Sequence, residues 1–360
     1  MRLHQYLSLP LAVLALACSP NASDDKSKSE SKRVAGTAGD TKAVEAVDAP
    51  AAAKGDKSAE FQGTDEAAQQ EKIAEIQKRL KALETATAEE TARWTDELKA
   101  SAKALVSSDA TTTEEMLDKI IASQHRRPGN AARDTSRHPK ETLQFFGIDP
   151  DMTVIEVGPG AGWYTELLAP LLAKKGLLVV NSSDPEGPET ESSIYYSRRT
   201  RDFLASNADL YGKVEVVIPS KPGEFELGKE SYADAVLIVR GLHGAARRGE
   251  LAVTLKEVSR VLKPGGILGI VQHRGTEGAD LVKSAAHGYV AQGWLTKQVE
   301  AAGFSSVGAS ELNGNVKDNH EHPEGVWTLP PTLTLGDQDK KKYEAVGESD
   351  RMTLKFQKPA

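Results

Sequence analysis

Five short apolar runs, 153–158, 177–181, 214–219, 233–239 and 267–273, alternate with stretches whose apolar residues recur every three or four positions. Runs of this length, rich in Val, Ile and Leu, read as strands buried on both faces, and the stretches between them as amphipathic helices. Runs at 304–312 and 352–358 supply two more strands. The β-α-β alternation predicts an α/β domain with a mostly parallel sheet, helices on both faces and right-handed crossovers. Upstream, Ile73, Ile76, Leu80 and Leu83 form one helical stripe, and Trp94, Leu98, Ala102 and Leu105 a second. Thr87-Ala88-Glu89-Glu90 fits a capping box and predicts a break between two helices; Thr112-Thr113-Glu114-Glu115 fits another and starts a third helix. The segment 64–112 reads equally as a hairpin on the body or as a dimerising stalk.

Composition divides the remainder. Residues 19–63 are rich in Ala, Ser, Lys, Asp and Gly, with almost no large apolar side chain. Such a stretch buries too little surface to offset chain entropy and is expected to be a disordered tether. Met1–Ala17 carries Arg2 and then an apolar core from Leu7, the form of a secretory signal, too short to span a bilayer as a mature helix. Cys18 is the only cysteine, so no disulfide forms within the chain and no cysteine metal site exists. The net charge of -7, with no basic patch, gives no sign of a nucleic-acid partner. The expected organisation is a signal over 1–17, Cys18 and the tether over 18–63, the helical segment over 64–112 and the α/β body over 113–360.

The chemistry concentrates where the first strand ends, in Val154-Ile155-Glu156-Val157-Gly158-Pro159-Gly160-Ala161-Gly162-Trp163-Tyr164. An apolar run ends in an acid, and alternate glycines then allow a tight turn and the close approach of a ligand to the backbone. A dinucleotide-binding turn needs a glycine where Trp163 stands, and Trp is too bulky for that helix–strand packing, so an NAD-dependent oxidoreductase is disfavoured. The pattern resembles motif I of the class I S-adenosylmethionine-dependent methyltransferases. Leu262-Lys263-Pro264-Gly265-Gly266, after a helix and before a strand, resembles the family's entry into its fifth strand; Pro264 stops the helix and the glycines allow the reversal.

That resemblance implies a Rossmann-like class I fold with a seven-stranded sheet, its last strand antiparallel and placed on the edge side of the sixth. It implies S-adenosylmethionine as cofactor, with Gly158, Gly160 and Gly162 near its methionine part and Glu156 in support. The acid that usually holds the ribose hydroxyls is replaced here by Asn181. After the fourth strand, His243 is a candidate general base because its ordinary pKa lies near neutrality, and Arg240 a candidate anchor for an anionic acceptor; the alternative is that both brace the loop. His273 and Arg274 form a second such pair.

The long linker from Asn313 to Asp350, containing Asn315 and Trp327, is expected to cover the strand ends as a lid shaping the acceptor pocket. His320 and His322 invite a metal reading, but a solvated loop is favoured and no metal is expected.

Two narrower resemblances remain. Ala15-Leu16-Ala17-Cys18-Ser19 resembles a bacterial lipoprotein signal, which implies lipidation of Cys18 and a periplasmic, outer-membrane-anchored protein. Arg126-Arg127-Pro128-Gly129-Asn130, Arg133-Asp134, Arg137-His138-Pro139, Gly162–Glu166, His273-Arg274, His322–Trp327 and Gly347–Met352 resemble a family of exported bacterial predicted methyltransferases. This implies Arg133, Arg137 and His138 beside the cofactor, against a salt-bridged lead-in helix as the alternative. Two functional classes follow: methyl transfer to a small-molecule or envelope acceptor, or a non-catalytic ligand-binding module on the same fold.

Overall fold

The computed structural model describes residues 57–360 apart from Pro222, with side chains from Glu66 onward. The signal, Cys18 and the tether as far as Asp56 lie outside the described residues. Lys57–Gly63, expected to belong to the tether, are already helical.

The strands are β1 (Thr153–Val157), β2 (Leu177–Asn181), β3 (Glu215–Val217), β4 (Ala233–Val239), β5 (Leu262–Gly275), β6 (Val290–Ala291), β7 (Ser305–Ser310) and β8 (Arg351–Gln357). Seven form one sheet in the order β3-β2-β1-β4-β5-β8-β7, and the two-residue β6 adds to the end of β5. Pairing is parallel from β3 to β5, while β8 runs antiparallel to both β5 and β7. This is the class I methyltransferase fold. One expectation is corrected: β8 lies inside the sheet between β5 and β7, leaving β7 as the edge. The reason is in the residues: Met352, Leu354 and Phe356 are fully buried, whereas β7, Ser305–Ser310, has no fully buried residue.

Adjacent strand residues alternate between two cores, as the pleat requires. Val154, Val180, Ala235 and Leu237 face one side, against the helices Asp96–Val106, Thr113–Ala122, Pro139–Phe146 and Thr165–Leu172. Ile155, Val179, Val236 and Ile238 face the other, against Leu242–Arg248, Leu251–Val261 and Gln292–Ala301. Each fully buried aliphatic side chain contributes roughly 1.5–3 kcal/mol.

Upstream, Lys57–Arg93 is one continuous helix through Thr87. The predicted break is therefore misplaced. Glu90, which a capping box would turn back towards Thr87, instead accepts from Arg93 Nη2 at 2.7 Å and from Trp94 Nε1 at 2.9 Å. The chain breaks at Trp94-Thr95, where Thr95 caps the next helix by accepting from Leu98 N. Thr112 caps the third helix as predicted, accepting from Glu115 N. Ile76 and Leu80 pack on Ile194, and Trp94, Ala102 and Leu105 join the main core. Near β5, the helix ends at Val261 and Leu262 already pairs with Ala233. The Lys263–Gly266 turn is thus a bulge within the strand rather than a helix stop.

Candidate functional site

The site is built outside the carboxyl ends of β1, β4 and β5. In open α/β sheets, ligands bind where successive crossovers leave in opposite directions, here between β1 and β4. Gly158, Gly160 and Gly162 all have positive φ, +61°, +62° and +81°. A side chain at Gly162 would lie 2.6 Å from the Phe203 ring, so packing demands glycine there. At Gly158 nothing lies within 4 Å of an added Cβ, and at Gly160 the nearest atom is 3.8 Å away. These two leave open space beside a backbone whose Gly160 and Ala161 N–H groups have no acceptor among the described residues.

Glu156 is buried beneath the turn, where its carboxylate accepts from Thr165 Oγ1 at 2.7 Å. Burial pushes its carboxyl up to about 7. It supports the turn from below. Asn181 Oδ1 accepts the Gly158 N–H at 2.8 Å. The oxygen expected to meet ribose hydroxyls thus also holds the turn, with one lone pair and the amide nitrogen left for a ligand.

The segment before the first strand locks onto the helix that follows the turn. Glu166, an acid inside the apolar stretch Thr165–Leu172, is buried and accepts from Arg127 N and Asn130 Nδ2, each at 2.8 Å. Trp163 Nε1 donates to Asn130 O at 3.1 Å, and the guanidiniums of Arg126 and Arg137 lie over its ring at 5.4 and 5.0 Å. Trp163 thus faces cations rather than a strand. Glu166 and Arg126 were visible in sequence only as part of a family resemblance, with no role attached; a lone acid in an otherwise apolar helix was the further signal.

Above β4 and β5 lies a cationic recess. Glu348 accepts from Arg137 Nε at 2.9 Å and from Arg351 Nη1 at 2.6 Å, with all three side chains nearly buried. Arg240 follows β4 in the left-handed region, at φ 58°. Its guanidinium has no side-chain partner among the described residues. Burial, then the Arg137 charge, pull it down to about 9. His273 Nδ1 lies 2.5 Å from Ser349 Oγ. The His243 ring sits 6.3 Å from that of His273 and 5.9 Å, edge-on, from that of Trp327. Of the expected site residues, Arg240, His243, His273 and Trp327 therefore do meet.

Their chemistry differs from the expectation. Burial, with the charges of Arg247, Arg248 and Arg240, lowers His243 to about 4. Burial and Arg240 hold His273 well below its ordinary value. Both rings are held neutral at neutral pH, the form a general base needs but with lowered basicity. Glu348, Ser349 and Arg351 were visible in sequence only as part of a family resemblance, with no role attached.

Other candidates are placed elsewhere. Arg274 is held by Glu311 and Asp350. Asn315 donates Nδ2 to Val346 O and Glu348 O. Both brace the C-terminal arm. Arg137 is spent on Glu348, and His138, at φ 40°, forms the joint between the helices Asp134–Arg137 and Pro139–Phe146.

The linker 313–350 does cover the strand ends, but as a packed part of the domain. Leu329 and Thr328 are fully buried. Asp318 accepts from Tyr289 Oη, His320 N and Asp350 N and contacts His322 Nε2 at 2.9 Å. His320 Nε2 lies 3.6 Å from Asp350. Among the described residues no group of acids, His or Cys is arranged to hold a metal.

No protein-family model matches the chain. Over 122 residues it is 24% identical to a protein-L-isoaspartate O-methyltransferase of Thermotoga maritima, a match spanning 34% of this chain and 34% of that protein. It thus spans about a third of the length of that curated relative. Among solved structures it is similar to a SAM-dependent methyltransferase from Aquifex aeolicus, with 17% identity and a TM-score of 0.41 over 68% of this chain and 97% of that one. It is also similar to the geranyl diphosphate C-methyltransferase of Streptomyces coelicolor A3(2), with 15% identity and a TM-score of 0.42 over 71% and 87% of the two chains.

Proposed function

We propose that the chain is an S-adenosylmethionine-dependent methyltransferase, with the cofactor against the Gly158–Gly162 turn and the acceptor in the recess of Arg240, His243, His273 and Trp327. The observation that carries this reading is the open turn. Two glycines of positive φ stand clear of neighbouring atoms at the switch point, with Glu156 fixing the turn from below. The residues fit the cofactor: the free backbone N–H groups suit its carboxylate, and the nearby Arg240 stands on the side of the fold where the acceptor belongs. When bound, the cofactor supplies an electrophilic methyl group on a sulfonium. The chain holds the acceptor in line with it, and Trp327 with the covering linker keeps water from the recess.

The address is part of the proposal. Met1–Ala17 followed by Cys18 reads as a lipoprotein signal, so the enzyme works outside the cytoplasm, tethered to the outer membrane through a lipid on Cys18, on a small-molecule or envelope acceptor. A second reading, a ligand-binding module that has lost catalysis, is favoured by one observation: Asn181 replaces the usual acid and its oxygen also holds Gly158.

Incubation of the purified chain with methyl-tritiated S-adenosylmethionine and envelope or small-molecule extracts separates the two. The enzyme yields labelled product together with S-adenosylhomocysteine, above the level of Gly160→Arg. Binding of S-adenosylhomocysteine with no label in any fraction selects the module.

A further inference from the structure

We propose that the acceptor oxygen in the recess belongs to a carboxylate and that the product is a methyl ester; this rests on the methyltransferase reading above. The geometry begins with charge. Three guanidiniums, those of Arg137, Arg240 and Arg351, gather about Glu348, and the only other carboxyl near Arg240 among the described residues is Glu156, which burial pushes towards its neutral form. Arg137 and Arg351 are committed to it by hydrogen bonds of 2.9 and 2.6 Å. Arg240 is left over. It is fixed by a left-handed backbone at the end of β4, its N–H donating to Val271 O, and among the described residues it has no side-chain partner. A partly buried guanidinium without a carboxylate partner is costly, and its planar fork matches a carboxylate. Arg137 Nη1 and Arg351 Nε, both buried without an acceptor, add to the excess of donors.

The remaining lining says what such an anion meets. Neutral imidazoles of His243 and His273 and the edge of Trp327 frame the site without adding negative charge. An amine or alcohol acceptor must lose a proton during transfer, and histidines held far below their ordinary range are poor acceptors for it. A carboxylate arrives already ionised. One of its oxygens forms the new C–O bond to the methyl carbon as the C–S bond breaks, the electron pair returning to sulfur. The negative charge of the acceptor and the positive charge of the sulfonium cancel, leaving a neutral ester and a neutral thioether, and no proton is released. Arg240 holds the spectator oxygen and so orients the attacking one.

The same anion chemistry could come from the cofactor's own carboxylate, and the test separates the two sources. Acetate and benzoate, with acetamide and benzamide as neutral counterparts, are titrated calorimetrically into the full chain with and without S-adenosylhomocysteine. The wild type, Arg240→Gln and Arg240→Lys are compared, and thermal unfolding confirms that each variant is folded. The proposal expects the carboxylates to bind at least about tenfold more tightly than the amides in the S-adenosylhomocysteine complex. Arg240→Gln should weaken them about tenfold, Arg240→Lys less, with S-adenosylhomocysteine affinity held within about twofold. Equal affinity for acids and amides, or an unchanged Arg240→Gln, overturns it. If S-adenosylhomocysteine displaces the carboxylates and itself weakens in Arg240→Gln, the site serves the cofactor and the ester assignment falls while methyl transfer stands. If S-adenosylhomocysteine fails to bind while carboxylates do, the methyl-transfer reading falls and the ester with it. In turnover with labelled cofactor, tritium released as volatile methanol by mild alkali supports the ester; base-stable label overturns it.

Discussion

Gly162→Ala should damage the fold, whereas Gly158→Ala should damage the ligand site. An L-residue in the left-handed region costs about 1–2 kcal/mol. At Gly162 that strain is joined by a steric clash, because the new Cβ would lie 2.6 Å from the Phe203 ring. The ring has little freedom to move: it is buried, with Tyr211 at 4.6 Å on one side and the Arg127 guanidinium 4.6 Å from its centroid. Overpacking of this kind adds about 1–3 kcal/mol. The sum is about 2–5 kcal/mol, a change of roughly 30- to several thousand-fold in the unfolding equilibrium. At Gly158 only the strain applies, so the loss is about 1–2 kcal/mol.

Urea unfolding at 25 °C gives both values, and calorimetry with S-adenosylhomocysteine gives the binding consequence. Adding Phe203→Leu to Gly162→Ala should restore the steric part and leave the backbone part, a coupling of about 1–3 kcal/mol. The reasoning is refuted if Gly162→Ala lies within about 0.5 kcal/mol of the wild type, or if the two alanine variants lose equal stability.

Glu156 has a folded carboxyl raised to about 7 from 4.5, so its protonated form favours folding. That contribution is complete below about pH 4.5, falls as pH rises, and is lost above about 7, an effect of about 3 kcal/mol; Glu156→Gln should flatten the stability–pH curve across this window. Glu348→Ala strips Arg137 and Arg351 of their buried partner and should cost about 3–5 kcal/mol by urea unfolding, with a smaller loss refuting the shared-carboxylate account. Asp318→Ala removes the acceptor for Tyr289, His320 and Asp350, and should raise the rate of limited proteolysis between Asn313 and Asp350 by about tenfold or more; an unchanged rate would show that other contacts hold the arm.

The parts of this protein that sequence announces are those governed by local rules. β1, β2, β4 and the apolar part of β5 are short runs dominated by Val, Ile and Leu, and the glycine turn follows from residues that need positive φ and open space. Local rules failed where a side chain had a better partner elsewhere. Thr87 and Glu90 satisfy a capping pattern, yet Glu90 is taken by Arg93 and Trp94 and the helix runs on. Asn181 stands where an acid would meet the ribose, yet it holds Gly158. The recess was only half legible. Arg240, His243 and Trp327 are marked by their places after β4 and in the covering linker. The Arg137–Glu348 pair joins ends of the domain far apart in the chain, which no spacing in the sequence expresses. Burial is the chief cause of the depression of both histidines, and only His273 feels Arg137 and Arg351 of that long-range group.

The central claim is that the open glycine turn binds S-adenosylmethionine. Calorimetric titration of S-adenosylmethionine, S-adenosylhomocysteine and NAD into the purified chain tests it most directly, with Gly160→Arg as control and thermal unfolding to confirm that the variant folds. The account predicts micromolar binding of the first two, none of NAD, and loss of binding in the folded Gly160→Arg variant. No heat from either S-adenosyl compound, or equal binding by Gly160→Arg, would contradict it.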